Sequence, residues 1–397
     1  METLKFVMTT TFYPPYHIGG DAIHVYYLAN ELAKRNHEVH VINLLDSYFF
    51  KRKNKPKNEY KNHDNVILHS IKSPFGIFSI GRSYVFGESK YINRKIKTIL
   101  EGIKPDVLHH HNIAGFGPSI LNYASFKTFY TAHDYWLLCP MVNLMKKDGS
   151  LCNGYFSCFA CPLSYKRPPQ IWRYRSNANS ILDKVDTIIA PSAYMKKRLL
   201  DFGIRKKIEV ISNFILDTET KGENPYDFSY FLFIGVIERY KGVLDLVKIY
   251  ASIKEQINAK LMIVGTGSLN EKLHRIIKDI DSDKIKFLGR FFNYSELANL
   301  YKNALAVVIP SICPENNPYV AIEALANCTP IIVSNIGGLP EIAEKGNMPI
   351  FNSSQELISC LKMMEKGQVK YKNPKKIYEE FYSPNSFITR YFHLIKK

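Results

Sequence analysis

Short apolar runs alternate with amphipathic stretches along most of this chain. Residues 5–8 form a β-type run, followed by a loop over 9–20 that carries Pro14, Pro15, Gly19 and Gly20. Apolar residues then recur at Val25, Leu28, Ala29, Leu32 and Ala33, the spacing of one helix face. Residues 39–44 supply the next strand, so the opening reads as a βαβ unit, which builds parallel sheets. The second half repeats the pattern more cleanly. Apolar runs at 231–234, 261–264, 285–288, 306–309 and 331–333 alternate with helical segments near 243–257, 269–280, 295–304 and 318–326. Each run is followed by turn residues: Gly235, Gly265 with Gly267, Gly289, Pro310 with Ser311, and Gly337 with Gly338. The pattern predicts two doubly wound α/β domains. Ligands of such sheets bind at the carboxyl ends of the strands, which places the expected site in the cleft between the domains. The polar stretch 217–227, with Gly222 and Pro225, reads as the linker. Phe387, Ile388, Tyr391, Phe392, Leu394 and Ile395 make 383–397 a closing helix with a face to bury.

A length of 397 residues agrees with two domains, and 46% hydrophobic with 22% charged residues is close to the soluble globular norm. No apolar stretch is long enough to span a bilayer, and the start lacks the regions of a signal peptide, so a cytoplasmic location is expected. The formal net charge of +17 changes the picture further. Basic residues gather at 51–61 (Lys51, Arg52, Lys53, Lys55, Lys57, Lys61), 90–97 and 196–207. They read either as a solvated surface or as the footprint of an anionic partner. The charge does not lie on one helix and no nucleic-acid-binding module is present, so the expected anionic partner is a membrane surface, not nucleic acid.

The segment richest in chemistry is Pro-Glu-Asn-Asn-Pro-Tyr-Val-Ala-Ile-Glu-Ala-Leu, residues 314–325. Glu315 precedes a helix and Glu323 lies within it, with seven residues between them. Pro318 suits the first helical turn, where its missing N–H costs nothing. The amides of Tyr319 and Val320 would then point out of the helix N-terminus, a geometry that suits phosphate.

With these residues the chain resembles the family 4 glycosyltransferases, which have the GT-B fold. The resemblance implies that Glu315 holds donor-sugar hydroxyls and Glu323 the ribose. Glu315, Asn317 and Pro318 stand in a Glu-Asn-x-Pro form similar to a common variant of the family motif. The stretch from Gly235 to Lys241-Gly242 resembles the family's phosphate-binding turn, with Lys241 as counter-charge to the diphosphate. Val236 occupies a position where the family often has arginine, which leaves Arg239 as the replacement. Gly265-Thr266-Gly267-Ser268-Leu269 resembles the family's turn near the nucleotide, and Phe287-Leu288-Gly289 its strand end beside the base. Gly337-Gly338-Leu339-Pro340-Glu341 resembles its late glycine turn. Gly19-Gly20 matches the amino-terminal glycine loop whose amides approach the diphosphate. Thr131-Ala132-His133-Asp134 resembles the strand end facing the donor sugar, which places His133 beside the reacting carbon. Residues 105–112, 185–192 and 211–213 complete the likeness. The domains expected are 1–216 on the acceptor side, 217–378 for the nucleotide-sugar, and a helix at 379–397 crossing back onto the first. His109, His110 and His111 do not read as a metal site, because neighbouring strand residues point to opposite faces.

Cys139, Cys152, Cys158 and Cys161 have 12, 5 and 2 intervening residues. This spacing suits tetrahedral thiolate binding of structural zinc or an iron–sulfur cluster. Four separate reduced thiols are the plain alternative, and disulfides would need an oxidising compartment. The insert 139–161 follows His133 closely enough to wall an acceptor pocket, and it is similar to an insertion in a subset of the family. Cys313, Cys328 and Cys360 read as isolated buried residues.

The resemblance implies transfer of a hexose from a nucleotide-diphosphate sugar to an acceptor, and the basic surface without a spanning helix fits a lipid-linked or cell-surface glycan as that acceptor. Configuration would be retained, with the leaving phosphate helping to deprotonate the acceptor. No Asp-x-Asp pair stands where a metal-assisted transferase needs one, so no cofactor is expected for catalysis. The alternatives are a nucleotide-sugar epimerase on the same fold, or a non-catalytic nucleotide-sugar-binding or assembly protein. A dehydrogenase is not expected, since no Gly-x-Gly-x-x-Gly follows the first strand.

Overall fold

The computed structural model describes residues 2–396 apart from 57–58, 124, 155–156, 218–221, 225 and 292–293. Lys57 of the basic run and part of the expected linker therefore lie outside the described residues. The chain divides into two compact units, residues 1–211 with 390–397, and residues 212–389.

The first unit is built on strands β1 (Lys5–Thr9), β2 (Glu38–Leu44), β3 (Val66–Ile71), β4 (Val107–His110), β5 (Lys127–Thr131), β6 (Thr187–Ala190) and β7 (Lys207–Val210). They form one sheet in the order β3-β2-β1-β4-β5-β6-β7. Its pairings are all parallel. Helices α1 (Gly20–Ala33), α2 (Leu45–Lys51), α3 (Ile77–Phe86) and α4 (Lys90–Ile103) follow the first strands. Because both sheet faces are covered, Phe6, Val7 and Met8 are fully buried in a row, without polar alternation.

The second unit repeats the design with β8 (Tyr230–Ile234), β9 (Lys260–Val264), β10 (Ile285–Gly289), β11 (Ala306–Ile309), β12 (Ile331–Ser334) and β13 (Ile350–Phe351). Their order is β10-β9-β8-β11-β12-β13, again parallel throughout. Strand order reverses between β1 and β4 in the first sheet and between β8 and β11 in the second. Those reversals open crevices at the strand carboxyl ends, where polar residues can gather.

Three expectations need adjustment. The helix expected over 243–257 ends at Ser252, and Ile253 and Ile257 instead pack into the core from the turn beyond it. Pro318 is the cap of helix Tyr319–Ala326 and not a first-turn residue, since its ψ of 134° is extended. The closing segment is two helices, Pro374–Phe381 and Pro384–Lys396, because a proline disfavours helical backbone in the residue before it. Within this segment only residues 390–397 belong to the first unit; 379–389 go with the second. In the first unit Tyr391 hydrogen-bonds His109 Nδ1 at 2.9 Å and stacks on its ring.

Five imidazoles of the first unit are held neutral by burial. His110 and His133 are lowered to about 3, and His24, His109 and His111 lie well below their ordinary value. The second unit contains a single histidine, His274. An unfolded chain binds protons at these sites below its pKa of 6.5, whereas the folded unit does not. Their contribution to stability is therefore intact above pH 6.5 and is lost as pH falls toward 3, by about 1.4 kcal/mol per pH unit for each imidazole. Calorimetry between neutral pH and about pH 5 should show the first unit's transition dropping while the second unit's holds. Parallel shifts of both transitions would contradict this account.

Candidate functional site

In the second unit, four strand-end loops pack backbone against backbone. Gly242 has a φ of 71°, and a side chain there would strike the Pro310 carbonyl. A Cβ on Gly265 would collide with the Gly235 carbonyl, and one on Gly267 with the Ile237 backbone. Only glycine allows the loops after β8, β9 and β11 to touch in this way. Glu238 ties two of them together, accepting from the Ser268 amide at 2.8 Å and from its hydroxyl at 2.7 Å.

That packing brings Lys241 to Glu315. The ammonium donates to Glu315 Oε1 at 2.5 Å, and the Ser311 hydroxyl donates to the same oxygen at 2.8 Å. The side chains remain 24% and 14% exposed, so the pair is accessible. Burial pulls the Lys241 pKa down, but the Glu315 carboxylate outweighs it and holds the ammonium above its ordinary value. The Glu315 turn is itself propped from behind. Gly337, at a φ of 66°, presses on the Glu315 backbone where a Cβ would clash, and the Gly338 amide donates to the Glu315 carbonyl at 2.7 Å. The late glycine turn is thus a support for Glu315.

Other expected donor residues sit as follows. Asn317 is buried and already engaged: its Oδ1 accepts from the Asn213 amide at 2.9 Å and its carbonyl from Asn213 Nδ2 at 3.0 Å. It anchors the turn instead of facing outward. Pro318, Tyr319 and Val320 form the helix head directly after it, all half-buried. Glu323 accepts from the Tyr301 hydroxyl at 2.6 Å, and burial raises its pKa despite that bond. Leu288 is half-buried at a bulge, where the pairing of β10 with β9 shifts between Phe287 and Gly289. Arg239 and Val236 are exposed beside Gly235. Tyr301 carried no signal of its own in the sequence, and Ser311 and Asn213 stood out only as parts of a turn and of the family likeness.

In the first unit, Gly19 and Gly20 are exposed at the head of α1, with Gly19 at a φ of 92°. The next residue, Asp21, accepts from Asn112 Nδ2 at 2.5 Å, and burial raises its pKa. His133 Nε2 lies 3.0 Å from His111 Nδ1, and the His24 ring from α1 stands 5.0 Å away. Ligand-capable atoms of His24, His111 and His133 all lie within 4.8 Å of one another, a spacing that can also hold a divalent cation. His110 turns away from this group, its Nδ1 2.8 Å from Thr9 Oγ1. His133, Asp134, Tyr130 and Trp136 line a small pocket with His111 and Asn112. Asp134 is raised to about 7 by burial, so this pocket carries neutral imidazoles and a carboxyl near its midpoint.

The wall of that pocket continues into the cysteine insert. Buried Arg173 donates to the Trp136 carbonyl at 2.5 Å and to Gln170, and stacks over Trp172. Cys139 Sγ accepts from the Met141 amide at 3.3 Å and Cys152 Sγ from the Gly154 amide at 3.3 Å. All seven cysteines are free thiols. Among the described residues, the four insert sulfurs do not share the 4.8 Å spacing that the histidines reach. Of the three isolated cysteines only Cys313 is buried. Cys328 is exposed and Cys360 half-buried, which corrects the expectation for both.

Comparison with known proteins places these features. Residues 18–219 match the model for Glycosyltransferase Family 4, and residues 217–377 that for Glycosyl transferases group 1. An uncharacterized glycosyltransferase of Methanocaldococcus jannaschii is 27% identical over 362 residues, covering 85% of this chain and 82% of its own. Sucrose-phosphate synthase of Thermosynechococcus elongatus has a TM-score of 0.74 at 16% identity, over 99% of this chain and 98% of its own. The Anabaena HepE protein, solved in complex with UDP and glucose, has a TM-score of 0.65 at 16% identity, over 99% of both chains. Matched by these models across both of its parallel-sheet units, the chain belongs to the family 4 glycosyltransferases and has the GT-B fold.

Proposed function

We propose that this glycosyltransferase moves a hexosyl group from a nucleotide-diphosphate sugar to a lipid-linked or cell-surface glycan, with retention of configuration. The observation that carries the reading is the Lys241–Glu315–Ser311 group at the edge where β8 and β11 end. A lysine held protonated by its neighbour supplies counter-charge for a departing diphosphate, and the helix head at Tyr319 and Val320 adds oriented amides. Glu315 accepts hydrogen bonds from sugar hydroxyls, and Glu323 with Tyr301 receives the ribose. That HepE was solved with UDP and glucose supports a donor of this class.

In the transfer, the bond from the anomeric carbon to the phosphate oxygen breaks. The acceptor oxygen bonds to that carbon on the same face, and its proton passes to the leaving phosphate. His133 is neutral at physiological pH. Its part is therefore to position a hydroxyl, not to donate a proton as imidazolium. Exclusion of water limits hydrolysis.

Replacing Glu315 by Gln removes a charged acceptor and strands the Lys241 ammonium. The loss is about 1.5–3 kcal/mol, or roughly ten- to a hundredfold in kcat/KM for transfer. Wild-type turnover in this variant, with the donor first identified by thermal-shift screening of nucleotide diphosphates, would refute the assigned role. Product analysis with and without acceptor separates transfer from epimerisation and from simple binding.

The insert thiols are proposed to hold a structural metal, zinc being the best fit. The Cys139 and Cys152 sulfurs each accept a backbone amide; burial raises Cys139, and burial with the nearby Cys158, Cys139 and Cys152 pushes Cys161 up to about 11. A cation would reverse that repulsion and draw the four sulfurs together. Cys158→Ser should lower both bound metal and melting temperature in purified protein. Metal analysis that finds no zinc or iron in the wild type would remove the proposal; metal undiminished in the variant would point to the histidines.

A further inference from the structure

Helix α3 leaves several of its large apolar residues in solvent. Its sequence is Ile-Phe-Ser-Ile-Gly-Arg-Ser-Tyr-Val-Phe, and the residues it buries are Ser79 and Ser83. Phe78 is 81% exposed, and Ile77 and Phe86 are each 49% exposed, with Phe75 just ahead of the helix at 62%. Helix α4, the next element, behaves ordinarily: it buries Ile92, Ile96 and Leu100 and exposes Arg94, Lys95 and Lys97. At the end of α3, Gly87 lies against Trp172, and Gly117 against the Gly87 and Ser83 carbonyls, at distances that leave no room for a Cβ. Ile80 and Tyr84 are half-buried on the inner side, Ile80 against the core, while Ile77, Phe78 and Phe86 stay outside.

The exposed face extends beyond α3. Helix α2 packs against α3 and ends in exposed Phe49 and Phe50. Phe75 meets Tyr91 of α4 edge-on at 6.3 Å, and Lys95 lies over that same ring. Basic residues are dense in the same stretch, and Arg82 lies over the Phe86 ring. Across 72–97 there are six, Lys72, Arg82, Lys90, Arg94, Lys95 and Lys97, against one acidic residue, Glu88, which faces Arg82 at 3.9 Å. Lys51 ends α2, Arg52, Lys53 and Lys55 follow it, and all four are exposed as well. Such a charge excess opposes pairing with a second copy of this chain. It is complementary to a surface that is apolar beneath and negative on top. Among the described residues no helix is long and apolar enough to cross a membrane, so such a surface would be met from one side.

We propose that the α2–α3 face docks the enzyme onto an anionic lipid bilayer, with Phe50, Phe75 and Phe78 entering the headgroup boundary and the neighbouring lysines and arginines against lipid phosphates. The docking face is joined to the glycine loop: Tyr48 of α2 packs with Phe12 and Ala22, and Tyr16 and Ile18 rest on that cluster. Docking therefore holds the Gly19-Gly20 loop at the membrane surface. It narrows the acceptor of the proposed transfer to a lipid-linked one, and in that respect alone rests on that reading.

The test is flotation of the full chain with vesicles of phosphatidylcholine containing phosphatidylglycerol, and with phosphatidylcholine alone. The protein should float with the mixed vesicles, largely remain behind with the neutral ones, and release at high salt. Phe75→Ser with Phe78→Ser should reduce vesicle partitioning by about tenfold or more, with melting temperature and donor hydrolysis in solution unchanged. Lys72→Glu with Arg82→Glu should remove the preference for anionic lipid, each basic residue near the surface being worth about fivefold. Failure of the wild type to bind mixed vesicles, or wild-type binding by the double serine variant, overturns the proposal. Capture of the face by an acidic soluble protein in place of lipid does so too. Donor turnover without vesicle binding would sink docking alone, whereas vesicle binding without turnover would sink the transfer reading alone.

Discussion

Strands buried on both faces leave a parallel sheet only one edge at which polar groups can meet a ligand, the carboxyl ends of its strands. In the second unit that edge works only because the loops leaving β8, β9 and β11 approach through their backbones. A side chain at Gly242, Gly265 or Gly267 would push one loop off another. Their contact is what sets Lys241 beside Glu315, and the Gly337-Gly338 turn holds Glu315 from the opposite side. The charged pair is therefore a result of glycine placement as much as of its own attraction. Loosening any of these loops would separate the ammonium from the carboxylate before either residue was changed.

The two units use opposite electrostatics. The second keeps a cation charged in a partly enclosed position by pairing it with a carboxylate. The first gathers His24, His109, His111 and His133 and, by burial, leaves them uncharged. Neutral rings can pack at short range without mutual repulsion, and they accept or donate single hydrogen bonds to hydroxyl groups. A sugar with several hydroxyls suits the neutral surface of the first unit. A diphosphate suits the second unit, where positive charge is maintained.

Much of this was readable from the chain because parallel strands announce themselves as uninterrupted apolar runs. The segments at 231–234, 261–264 and 306–309 each became a strand to within a residue or so. Glu315, Lys241 and the glycine turns were legible because order and spacing fix which strand each one follows. What escaped were meetings between segments distant in the chain. Tyr301 reaches Glu323 from another helix, Asn213 occupies Asn317 from more than a hundred positions away, and His24 joins His133 from α1. A single tyrosine, asparagine or histidine gives no periodic signal, so only the folded arrangement reveals the pairing. Cys328 was misjudged for a related reason. It lies in the turn after helix Tyr319–Ala326 at a φ of 64°, and its exposure depends on that local backbone, not on residue type.

Helix α3 shows the same limit from the other direction. Its alternation of Phe, Ile, Ser and Arg fits an amphipathic helix, but periodicity alone does not say which face turns inward. The end of the helix is seated closely, Gly87 against Trp172 and Gly117 against the Ser83 carbonyl, and Ser79 and Ser83 are its fully buried residues. Phe78 and Phe86 of this ten-residue helix, with Phe75 ahead of it, stay exposed while Tyr84 and Ile80 are half-buried. An exposed apolar cluster of this kind marks a surface for a partner other than this chain. The neighbouring positive charge restricts what that partner is. An apolar partner without negative charge would leave the lysines and arginines desolvated and unpaired, while an anionic interface with an apolar interior satisfies both sets of residues at once.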